Sequence, residues 1–135
     1  MHNEIYYKVV SLIGGKFYSS IARSGEKIDK RLKLRYRYNE FTYPEIQDSK
    51  LFVFSNYIDA EIFSSSSQRI YECEVINPVR MMPIGYDDAE NVCDFWKLRK
   101  EGRSTRKYRK LDFDNCYACD AVKLTRLVKK EYNYD

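Results

Sequence analysis

Two glycines, Gly14 and Gly15, separate "EIYYKVVSLI" (Glu4 to Ile13) from "KFYSSIA" (Lys16 to Ala22). Both flanking runs are rich in β-branched and aromatic residues, and a two-residue glycine loop is what a tight hairpin turn requires. The chain is thereby committed to antiparallel sheet from its start. Further strand runs follow. "LFVF" (Leu51 to Phe54) is continuously apolar and predicts a buried strand. "RIYECEVI" (Arg69 to Ile76) places Tyr71, Cys73 and Val75 on one side, and "DAVKLTRLVKKEY" alternates Val122, Leu124, Arg126 and Val128 as a final strand.

Two helices are predicted between these runs. Ser55 or Asn56 caps the first, with Asp59 in the capping pattern and Ile58, Ile62 and Phe63 on one face. Asp87 opens the second, and Glu90 stands three residues later, as a capping box requires. Val92, Phe95, Trp96 and Arg99 mark one stripe of it. Lys97, Arg99 and Lys100 fill its last turn, opposing the negative helix end, and Gly102 stops it. "NEFTYPEIQDSK" is an irregular connection interrupted by Pro44. The expectation is one compact α+β domain over residues 1–135, with a mainly antiparallel sheet and two helices. No repeat or linker divides the chain, and its length suits a single core.

A content of 44% hydrophobic and 33% charged residues points to a globular chain rather than a disordered one. No apolar run approaches the length that spans a bilayer. The start carries an early acid and lacks the basic region and cleavage site of a signal peptide. The expected setting is cytoplasmic, without a membrane partner, with Cys73, Cys93, Cys116 and Cys119 as reduced thiols.

The net charge is only +4, so the clustering of cations carries the signal. In "KRLKLRYRYN" (Lys30 to Asn39), a period of two puts Arg31, Lys33, Arg35 and Arg37 on one side and Leu32, Leu34, Tyr36 and Tyr38 on the other. A second tract holds Arg99, Lys100, Arg103, Arg106, Lys107, Arg109 and Lys110, with Glu101 its only acid. Arginine forks pair with phosphate oxygens and lysine adds a point charge. A binder of a phosphate-bearing ligand would thus use Arg31, Lys33, Arg35 and Arg37, with Arg103, Arg106, Lys107 and Arg109 closing over it. The ligand would be a nucleotide signal or a nucleic acid. Tyr108 is the better stacking candidate; Tyr36 and Tyr38 fall on the opposite strand face, which also fits a core role. The bland alternative stays open: edge strands and solvated sheet faces carry such cations, and a basic loop adds solubility.

Other chemistry is thinly represented. "CYAC" gives Cys116 and Cys119 the spacing of zinc ligands or a redox pair, but Cys73 and Cys93 are isolated, and buried cysteines also act as small hydrophobes. His2 is the only histidine, which removes histidine-based nucleophilic catalysis. Glu72 and Glu74 alternate out of a strand, and Asp87 and Asp88 begin a helix, so each has a structural explanation. "GGK" lacks the frame of a phosphate loop. No cofactor is implied.

"YYKVV", "KFYSS", "KLFVFSNYIDAEIF", "RIYECEV" and "CDAVKLTRLV" resemble, in that order, short uncharacterised proteins carried by bacteriophages. The resemblance covers most of the chain through strands and a helix, and it transfers no catalytic residue. It implies an accessory factor that binds a host protein or sequesters a defence signal. The layout also resembles ADP-ribosyltransferase-like folds, with a serine-bearing second strand, but no arginine or histidine stands on the first strand. The runner-up functions are a protein–protein inhibitor of a host factor and such an enzyme.

Overall fold

A computed structural model of the protein describes residues 4–20, 29–85 and 88–131. In chain order it contains β1 (Tyr6–Ile13), β2 (Lys16–Ser19), β3 (Arg35–Tyr36), β4 (Phe41–Thr42), β5 (Leu51–Phe54), α1 (Tyr57–Phe63), β6 (Gln68–Ile76), β7 (Val79–Arg80), α2 (Ala89–Lys100), β8 (Cys116–Cys119) and β9 (Ala121–Lys129). These strands form one antiparallel sheet, and with two helices among the described residues the architecture is α+β with sheet predominating. The expected features at His2, Ile21, Ala22 and Asp87 lie outside the described residues.

The Gly14–Gly15 turn forms as the sequence requires. Both glycines take positive φ (57° and 76°), and β1 pairs β2 from Ile13↔Lys16 to Val10↔Ser19. The other edge of β1 pairs β6 from Tyr6↔Cys73 to Ser11↔Gln68. The main path of the sheet runs β4-β9-β6-β1-β5-β8-β7, while β2 and β3 leave it at β1. The sheet therefore forks. β1 gives its last four residues to β2 and only Tyr7, paired with Phe54, to β5.

Alternation along the strands feeds two cores. Val9, Phe54, Ile70 and Cys116 face α1 around Ala60, and next to them Ala118 meets Val92, Phe95 and Trp96 of α2. On the other face Tyr6, Val10, Tyr71, Cys73, Val122 and Leu124 pack with Leu34 and Tyr36. A turn at residues 37–40, with Asn39 at φ 64°, joins β3 to β4, and the Asn39 amide bonds to the Leu124 carbonyl of β9 at 2.9 Å. The circuit β1-β2-β3-β4-β9-β6 thus wraps this second core.

Three expectations need correction. "KRLKLRYRYN" is not a continuous strand: residues 30–33 form a turn, because the Asp29 carbonyl accepts from Leu32 N and Lys33 N and its carboxylate from Arg31 N, leaving only Arg35–Tyr36 extended. Ile58 and Ile62 do not face inward on α1; they are 65% and 68% exposed, and Ala60 makes the contact with the sheet. The alternation of the last strand breaks at bulges in β9. Thr125 and Val128 are passed over in the β6 register, so Leu127, not Val128, joins the core, and Arg126 stands opposite Glu72. The helix caps are Asn56, whose side chain accepts from Ile58 N, and Asp88, which accepts from Asn91 N.

Candidate functional site

The fork opens a cleft of 830 Å³ between the β2–β3 limb and the β5–β8 limb. Leu34 and Ser19 line one wall and Leu51, Phe52 and Phe54 the other. The connection carrying Glu45, Ser49 and Lys50 and the stretch Pro83–Gly85 form the rim. Ser11 and Gln68 anchor one end: Gln68 donates to the Ser11 hydroxyl at 3.1 Å and to the Ser20 carbonyl at 2.8 Å.

Lys8 stands within the cleft. It shares its side of β1 with Tyr6 and Val10, and only 7% of it is exposed. Its ammonium donates to the Phe52 carbonyl at 2.8 Å and lies 5.3 Å from the centre of the Tyr36 ring. Its titratable neighbours are the thiols of Cys119, Cys73 and Cys116, which burial keeps protonated; among the described residues it has no carboxylate partner. Burial pulls its pKa below the ordinary lysine value, and the thiols oppose that shift only in part. The Tyr36 hydroxyl is buried nearby without a hydrogen-bond partner, and burial raises its pKa. Lys8 was the residue missed from sequence. Its signal was available: a lone lysine on the inward parity of an apolar strand.

The first cationic tract is divided. Arg31 binds Asp29 at 3.0 Å, holding that carboxyl down to about 2, and its guanidinium reaches Cys93 of α2 at 3.9 Å, at the cleft wall. Lys33 lies 4.8 Å over the Tyr18 ring. Arg35 and Arg37 stand apart from the cleft, with Lys16, in a shallow groove. Tyr36 is 1% exposed and belongs to the core, whereas Tyr38 is 54% exposed.

The second tract packs along α2. Lys107 pairs with Asp94 at 2.8 Å, and the Tyr108 hydroxyl donates to the same carboxylate at 2.5 Å. Both contacts lower the Asp94 pKa, while burial and that bond push Tyr108 up to about 12. Tyr108 also packs edge-on against Phe95. Arg103 pairs with Glu101 at 3.4 Å and Lys100 with Asp48 at 3.1 Å. Arg106 and Arg109 are exposed. Arg31 and Lys107 reach adjacent residues of α2, Cys93 and Asp94, but Arg35 and Arg37 are not brought to the second tract.

"CYAC" is β8 itself, and the pleat sends Cys116 and Cys119 to opposite faces: Cys116 packs near α1 and Cys119 in the other core. The two thiols therefore do not converge on one ion, and among the described residues no cluster of metal-ligating side chains forms. No described helix is long and apolar enough to cross a membrane. No family model matches the chain, and neither the curated proteins nor the solved structures compared with it give a match, so the functional reading rests on the cleft's own geometry.

Proposed function

We propose that the chain is a non-catalytic binding protein that holds a small phosphate-bearing ligand, of the nucleotide type, in the cleft at the fork. The observation that carries this reading is Lys8, a buried cation with no carboxylate beside it among the described residues. An ammonium in an apolar interior is costly unless paired. A ligand oxyanion supplies the missing partner and makes its hydrogen bonds where water does not compete. The volume of 830 Å³ suits a nucleotide-sized molecule. Arg31 and Lys50 stand at the rim, already ion-paired with Asp29 and Asp120, and Phe52, Phe54 and Phe63 offer flat apolar walls for a base. The resemblance to bacteriophage accessory proteins supports a counter-defence or host-takeover role, in which the protein withdraws a nucleotide signal from solution.

The test is to denature the purified protein and analyse the released small molecules by mass spectrometry, beside the 260/280 nm absorbance ratio. A stoichiometric phosphate-bearing mass, present with the wild type and lost with Lys8→Met, is expected. The same mass retained by Lys8→Met would remove Lys8 from the site and the reading with it.

A second reading, an inhibitor of a host protein, is favoured by Ile58 and Ile62. They stand one turn apart on α1, both exposed. A pulldown that survives nuclease and high salt, and fails with Ile58→Ser/Ile62→Ser, would support it.

A further inference from the structure

We infer that the outer groove of the β2–β3 hairpin is a second site, separate from the cleft, that takes single-stranded nucleic acid by its phosphates and one stacked base. The groove holds about 300 Å³ and is lined by Lys16, Arg35, Arg37, Tyr38 and Glu40, with Tyr36 as the wall between it and the cleft. Three cations thus face one acid. Among the described residues none of the three has an ion pair, in contrast to Arg31, Lys100, Arg103 and Lys107. The Arg35 Nε is shielded from solvent and meets no acceptor. The guanidinium groups of Arg35 and Arg37 suit the oxygens of a phosphate placed in the groove.

Tyr38 makes the ligand a single strand. The ring is 54% exposed, yet it is fixed at both ends. Its hydroxyl donates to the Thr125 carbonyl at 2.5 Å, and its ring leans on Tyr71 at 6.1 Å between centroids. An exposed tyrosine normally gives up rotamer freedom when it binds. Tyr38 has already done so, and its open face stands beside three phosphate-binding cations. Stacking on it needs an unpaired base, because a duplex keeps its bases stacked on each other.

The experiment is fluorescence anisotropy of a labelled oligodeoxythymidylate against the full chain over a salt series. Three phosphate contacts on a single strand predict a slope of log affinity against log salt of about −2. Arg37→Gln or Lys16→Gln, both at exposed positions, is expected to weaken binding and flatten the slope by about 0.7. Tyr38→Ala is expected to lose about 5- to 150-fold with the slope unchanged, while Tyr38→Phe keeps the ring and most of the affinity. Each variant is checked by its thermal melt. Equal affinity for a duplex of the same sequence would overturn the inference. So would a slope that responds to Arg106→Gln and not to Arg37→Gln, which would move the contact to the loop along α2.

Discussion

Lys8 and Phe52 meet across the fork, the lysine ammonium donating to the phenylalanine carbonyl at 2.8 Å. β1 pairs β5 only at Tyr7↔Phe54, so no strand amide of β1 reaches that carbonyl. The lysine side chain supplies the donor that the ladder lacks. It therefore has a structural task, satisfying an open strand edge, besides the charge it offers the cleft.

That dual role has a pH signature. Burial lowers the Lys8 pKa below its ordinary 10.5, so the folded chain binds fewer protons than the unfolded one. The cost of holding Lys8 is fullest below its folded pKa and fades as pH rises toward the unfolded value. The core thiols act in the opposite sense above their ordinary value of 9.0, and Lys8 lowers their pKa values in turn, so the comparison is read below that value. The stability of the wild type relative to Lys8→Met should rise with pH from neutrality to about 9. Urea unfolding over a pH series measures it, and a difference flat with pH would show that Lys8 is not desolvated.

The thiols should divide by location. Burial pushes Cys116 up to about 12 and Cys119 up to about 11, and it raises Cys73 as well. Cys93 is half-exposed on α2. Ellman's reagent should therefore modify Cys93 in the native protein and reach the other three only after unfolding. Rapid native reaction of Cys116 would contradict its packing.

The end of β9 is tied to β6 by Arg69 and Glu131, with Nε–Oε2 at 2.5 Å and both side chains mostly buried. The guanidinium holds the Glu131 carboxyl down to about 2, against an ordinary 4.5. A depressed carboxyl stabilises above its unfolded pKa and loses that contribution as pH falls through the folded one. Glu131→Gln should cost about 1 kcal/mol at neutral pH. Its acid-unfolding curve should merge with that of the wild type toward about pH 2.

On α1, Ile58→Ser and Ile62→Ser should each change stability by no more than about 0.5 kcal/mol, because both side chains already stand in water. Phe54→Ala, beneath the same helix, should cost about 3–5 kcal/mol. Chemical denaturation separates the two classes. A large loss at Ile62 would mean that the helix sits with a different face inward.

Much of the fold was legible where local signals agreed. The glycine turn, the apolar run at Leu51–Phe54 and the strand from Arg69 each rest on residues whose propensity and pattern point the same way. The basic stretch misled because its alternation is genuine only at Leu34 and Tyr36, which are buried. Upstream, Asp29 captures the backbone of residues 31–33 and turns it. The isoleucines of α1 misled because a seven-residue helix can lie close against a sheet on its smallest residue, Ala60. The bulges of β9 shift its parity without any local mark such as glycine. The cleft was illegible for a different reason. It arises from one strand having two neighbours on the same edge, which is a property of the assembled sheet.

The fork also determines how such a cleft changes over time. Its two limbs are like pages bound to one spine, the pair β1 and β6. The gap between them depends on the angle at the spine as much as on what is printed on each page. Substitutions at the far margins, in the turn after β3 or along β7, can widen or narrow that gap while every lining residue stays the same. Chains sharing this fork can therefore diverge in the molecules they admit while their clefts read alike.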